Sequence, residues 1–94
     1  MYCLMFIDFY SVIKVKNKKF MIAFGKNLKM LRNNAKLSQE DLANDCDISI
    51  SQIGRIERGE INTTISTLFV LAEALKVEIK ELFEFKFKKD SSIK

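Results

Sequence analysis

Two helix-start signals stand so close together in this chain that the segments they open must both be short. Ser38, followed by Gln39-Glu40-Asp41, offers a hydroxyl to the amide three residues on and places acidic side chains in the first turn, where the helix dipole favours them. Ser49, with Gln52 three residues later, repeats the pattern. The first signal predicts a helix over 39–46 that buries Leu42, Ala43 and Cys46. The second predicts a helix over 50–58 that buries Ile53 and Ile56 and stops at Gly59. Only two or three residues separate the two, so the helices must cross steeply, and Ala43 is small enough to sit at the crossing.

Helical periodicity extends to both sides. Phe24, Leu28 and Leu31 form one stripe and predict a helix over 22–34, while Leu68, Leu71, Ala72 and Leu75 predict another over 65–75. Between them, Glu60 to Thr64 is polar and turn-like. Val77 leads into a short fifth helix, 79–83, with Leu82 and Phe83 turned inward. Phe83 to Lys88 then alternates with period two, which suits a short strand or an arm, and residues 89–94 are expected to fray.

Residues 1–20 differ in character. Their apolar part, interrupted by Asp8 and Lys14, falls short of the roughly 20 apolar residues that a membrane-spanning helix needs, and it lacks the basic start of a secretory signal. Two readings remain: an irregular or strand-like arm packed on the domain or on a dimer mate, or upstream sequence preceding a natural start at Met21. On the second reading a chain beginning at Met21 folds and binds like the full one. The expected organisation is therefore an arm or extension (1–20), one domain (21–83), and a tail (84–94) available for a dimer contact.

A chain of 94 residues makes one domain and buries only about 60–65% of the surface its unfolded form exposes, so a partner subunit would help. With 48% apolar residues, no Pro and three Gly, the composition is that of a globular all-α domain. There is no His, and Cys3 and Cys46 are the only cysteines, so a zinc site, a disulfide framework and most nucleophilic or metal-assisted catalysis cannot be written within one chain. No catalytic residue, metal, cofactor or small-molecule ligand is expected, and a reducing cytoplasm is the natural setting. The net charge of +4 is carried by the flanks: residues 1–20 contribute +3, 84–94 contribute +2, and 21–83 hold eight Lys/Arg against nine Asp/Glu. Overall basicity is thus weak support for a nucleic-acid partner, and the positions of individual charges matter more.

Leu28, Leu31 and Arg32, then Leu37-Ser38-Gln39-Glu40-Asp41-Leu42-Ala43, Ile48-Ser49, Ile53, Ile56-Glu57-Arg58-Gly59, Leu68, Leu71-Ala72, Ala74-Leu75, Val77 and Glu81-Leu82-Phe83 stand in an ordered set. In that order and spacing the chain, from about Phe24 to Phe83, resembles the lambda-repressor-like (XRE) family of phage Cro and repressor domains. The resemblance implies a five-helix all-α fold with a helix-turn-helix over Gln39–Arg58. It departs from the family at Asp47, where Gly with positive φ is usual, and at Thr63-Thr64, where many relatives carry Pro. Asp tolerates positive φ better than most residues.

The resemblance also implies a sequence-specific regulator of transcription that binds double-stranded DNA as a homodimer on a two-fold symmetric operator. Its third helix enters the major groove, which makes Ile50, Ser51 and Arg55 the candidate base readers. The planar fork of Arg55 suits guanine O6 and N7, Ser51 donates or accepts, and Ile50 either meets a thymine methyl or closes the end of the core. Gln39 and Gln52 at helix starts, with Arg58, Asn62 and Thr63 at and after the end of the third helix, are the candidate phosphate contacts. Lys26, Asn27 and Lys36 are further candidates that could reach the DNA backbone, and the two lysines are more simply read as solvated surface. Arg32 and Glu57 are expected to pair across the first and third helices in a structural role. The competing reading is a protein-interaction module, such as an antitoxin, whose main partner is another protein; the near-neutral 21–83 segment favours it.

Overall fold

In a computed structural model of the chain, the backbone is described over residues 2–87 and the side chains over residues 18–87. Four α-helices and one turn of 3-10 helix follow in order: α1 Tyr2–Asn34, α2 Gln39–Cys46, α3 Ile50–Glu57, α4 Ile65–Leu75 and the 3-10 helix Ile79–Phe83. No strand occurs among the described residues. The expected fraying of 89–94 lies outside them.

Three of the helix starts are fixed by hydroxyl caps. Ser38 Oγ accepts from the Asp41 amide at 2.9 Å while the Asp41 carboxylate accepts from the Ser38 amide at 3.1 Å, a reciprocal box that opens α2. Ser49 Oγ accepts from the Gln52 amide at 3.1 Å to open α3, and Thr64 Oγ1 accepts from the Thr67 amide at 3.2 Å to open α4. The helix ends share a device as well. Lys36, Asp47, Gly59 and Lys76 all adopt positive φ, and the amide of the next residue reaches back to close the last turn: Leu37 to Arg32, Ile48 to Ala43, Glu60 to Arg55, Val77 to Ala72. Leu37, Ile48 and Val77 then tuck against the core, so each stop also contributes packing.

The core lies where the helices meet. Leu28, Leu42, Ile53, Ile56, Leu71 and Leu82 are fully buried, each stabilising the fold by about 1.5–3 kcal/mol. Ala43 is buried among them. One close approach decides how α1 lies on α3: a Cβ on Gly25 would stand 2.5 Å from the Ile56 carbonyl oxygen and closer still to that of Glu57. Only glycine lets the two backbones touch there.

The structure corrects three expectations. The segment read as an irregular or strand-like arm (1–20) is helical from Tyr2, and the helix expected at 22–34 is the last part of α1. Its aromatic and β-branched residues suggested a strand, but neither Pro nor Gly interrupts it before Gly25, and extending an already nucleated helix costs little. The fifth helix, 79–83, is 3-10, being too short for a run of i→i−4 bonds. Asn27 satisfies its carbonyls by donating from Nδ2 to Glu81 O at 2.9 Å and Leu82 O at 2.8 Å.

The alternating stretch 83–88 forms no strand over its described part. Among the described residues no strand lies beside it, and its rings gather instead on Phe20 of α1. Ring centroids lie 6.3 Å away for Phe83, 5.5 Å for Phe85 and 5.3 Å for Phe87. The expected boundary between residues 20 and 21 cuts through this cluster.

Candidate nucleic-acid interface

The position of α3 is set by a buried polar network. Arg32 Nε donates to Glu57 Oε2 at 2.6 Å and Nη2 to Oε1 at 3.2 Å, with side chains 9% and 3% exposed. Arg32 Nη1 also donates to Leu37 O at 2.8 Å, and Gln39 Nε2 donates to Glu57 Oε1 at 2.9 Å. One ion pair therefore ties the C-terminal end of α1, the loop after it, the start of α2 and the last turn of α3. That fixes the angle at which α3 is presented.

The opposite face of α3 is open. Ser51 and Arg55 are exposed and, four residues apart, point the same way from the helix. Ile50 is 50% exposed at the N-terminal end of the helix, outside the buried core, so closing the core is not its role. These side chains stand on a rigid element whose inner face, Ile53 and Ile56, is fully buried. A surface of this kind can enter a groove without reorganising.

The candidate phosphate contacts fall into distinct groups. Gln52 and Thr63 are half-buried, and Asn62 is exposed on the loop between α3 and α4. Gln39 is already tethered to Glu57, which aims its side chain beside the start of α2. Arg58 is exposed, but its Nε donates to Glu60 Oε2 at 2.6 Å. That bond raises the Arg58 pKa above its usual value and is the main cause holding the Glu60 carboxyl below its own. Asn27 is buried and occupied by the 3-10 helix, so it cannot reach a DNA backbone. Lys26 lines a groove with Glu84, Phe85 and Lys86 beside the tail, whereas Lys36 is free on the surface after α1.

Sequence reasoning missed Gly25 and the charge of Glu60, and took Gly59 only as the stop of the third helix. Gly59, with φ +72°, packs against Ile22: a Cβ there would lie 2.7 Å from the Ile22 Cα. Lys18 Nζ donates to the Gly59 carbonyl at 2.8 Å. The loop that leaves α3 is thus clamped on α1. The family-like Glu57-Arg58-Gly59 run was a visible cue for Gly59, but its α1 partners were not.

The profile of the helix-turn-helix family HTH_3 matches residues 28–82. This chain belongs to that family. It is a sequence-specific DNA-binding regulator of transcription, not an enzyme. Control protein C.SmaI of Serratia marcescens is 42% identical over 57 residues, which span 61% of this chain and 68% of the relative. Control protein C.BamHI of Bacillus amyloliquefaciens is 34% identical over 65 residues, 68% of this chain and 80% of the relative. The crystal structure of the restriction-modification controller protein C.AhdI from Aeromonas hydrophila superposes with a TM-score of 0.66 at 40% identity, covering 67% of this chain and 96% of that one. The helix-turn-helix formed by α2 and α3 lies wholly within the matched segment.

Proposed function

We propose that this family member is a controller-type regulator, acting in the cytoplasm, that binds a two-fold symmetric operator as a homodimer and reads it with Ile50, Ser51 and Arg55. The observation that carries the reading is the exposed Ser51–Arg55 face of a helix locked from behind by Arg32 and Glu57. Arg55 pairs with guanine, Ser51 takes either a donor or an acceptor, and Ile50 offers methyl contact. Gln39, Gln52, Arg58, Asn62 and Thr63 hold the flanking phosphates, together with the α2 and α3 amides that the caps leave open. Similarity to control proteins over most of their length supports the controller assignment.

Phe85 and Phe87, in the described part of the tail, pack on Phe20 of α1, and a further apolar surface stands open on α4 and the 3-10 helix. Ile65 is 85% exposed, Phe69 52% and Ile79 46%. We place the second copy on that face; binding two half-sites would then require the two reading helices to stand about one DNA turn, ~34 Å, apart.

A salt titration against a selected and a random duplex tests the reading. Phosphate contacts give a steep loss of affinity with salt, and base reading adds a gap between the two duplexes. Absence of binding to any duplex at low salt would favour a protein-interaction module instead.

A further inference from the structure

Glu60 stands at the edge of the reading surface, where a negative charge opposes DNA. It lies just past the end of α3, and its carboxylate accepts from Arg58 Nε at 2.6 Å with both side chains about half exposed. Arg58 belongs to the same helical stripe as Ser51 and Gly54, at spacings i, i+3 and i+7. Its guanidinium folds back along that stripe over Gly54, where an added Cβ would lie 3.0 Å from Arg58 Nη1. Lys18 approaches from α1, bonded to the Gly59 carbonyl, and it and Arg55 add positive potential at Glu60. One anion therefore sits among three cations beside the face that meets DNA.

We propose that Glu60 is a built-in counter-ion: it occupies Arg58 in the free protein, competes with a DNA phosphate for that guanidinium, and so holds down the affinity of the reading head. The proposal rests on the assignment of Arg58 as a phosphate contact. An exposed ion pair is weak enough to be exchanged. When Arg58 leaves Glu60 for a phosphate it displaces a counterion from the DNA but leaves a carboxylate that opposes the phosphates and draws a cation back, so the contact adds little to affinity or to salt dependence. Glycine at position 54 leaves the room along α3 in which the folded-back guanidinium lies.

The test compares the full chain with Glu60→Gln, Arg58→Gln and the double variant, each titrated with one selected and one random duplex between about 50 and 200 mM salt. Glu60→Gln is expected to tighten binding about eightfold per subunit near 0.1 M salt and to steepen the log K against log salt slope by about 0.9, as one additional phosphate contact would. The gain is expected to disappear in the Arg58→Gln background. Unchanged or weakened binding by Glu60→Gln overturns the proposal, and so does an equal gain in both backgrounds, which would mark a general charge effect. Glu60→Ala is the second variant should Glu60→Gln fail to fold, with the same expected result. A wild-type chain that binds no duplex at low salt sinks both the counter-ion and the DNA-reading surface; one that binds with ordinary salt dependence but ignores Glu60→Gln sinks only the counter-ion.

Discussion

Arg32→Ala removes the fastening that holds the reading helix, and the structure sets the size of the loss. The substitution deletes two hydrogen bonds to Glu57 and one to Leu37 O, and leaves a carboxylate only 3% exposed with Gln39 as its remaining side-chain partner. Stranding one member of a buried pair costs about 3–5 kcal/mol, and the surviving Gln39 bond places this case near the lower figure. A domain of roughly 70 residues holds about 4–10 kcal/mol of total stability, so most of it would go. At about 4–8 °C per kcal/mol, the thermal midpoint should fall by about 12–24 °C when followed by circular dichroism. The double variant Arg32→Met/Glu57→Leu should recover to within about 1–2 kcal/mol of wild type, because no charge is then left buried, although Leu37 O and Gln39 lose their partner. A loss below about 1 kcal/mol for the single variant, or a double variant no better than the single, would refute the reasoning.

Gly25→Ala forces a methyl against the Ile56 and Glu57 carbonyls and should destabilise by about 1–3 kcal/mol or more, whereas Ala in place of a mid-helix glycine normally stabilises; urea denaturation reads the sign. The Ser38 amide, then its hydroxyl, hold the Asp41 carboxyl below its usual range. Its stabilisation is therefore present above the unfolded pKa of about 4 and lost as pH falls through the lower folded value, and Asp41→Asn should flatten that acid limb in midpoints measured across the range. A chain beginning at Met21 lacks Phe20 and the Lys18 bond to Gly59, and should melt several degrees below one beginning at Lys18; equal midpoints would show that the aromatic cluster contributes nothing.

What was legible in the sequence was local. Ser38, Ser49 and Thr64 carry their cap chemistry within three residues, and α2 and α4 begin and end where the pattern placed them. Asp47 takes the positive φ that its position implied. Lys36 and Lys76 take it too, but a long basic side chain carries no turn signal; the stop is imposed by Leu37 and Val77 packing inward. Asn27 looked like a candidate DNA-backbone contact because the carbonyls it serves lie 54 and 55 residues away. The Phe83–Phe87 alternation fits a strand as well as a cluster, and only the position of Phe20 on α1 decides between them. Within the candidate interface, helical spacing puts Ser51 and Arg55 on one face and the family resemblance makes them candidate base readers, whereas the Arg58–Glu60 bond depends on how the chain turns at Gly59.

The central claim is that the outer face of α3 reads bases, and the most direct measurement is a comparison of wild type and Arg55→Ala on a panel of operator duplexes with each base pair changed in turn. Wild type should lose about 1–3 kcal/mol when one guanine in each half-site is replaced, and Arg55→Ala should be indifferent to that position while keeping its other preferences and its thermal midpoint. An Arg55→Ala chain that weakens equally on every duplex, or that retains the guanine preference, would contradict the account.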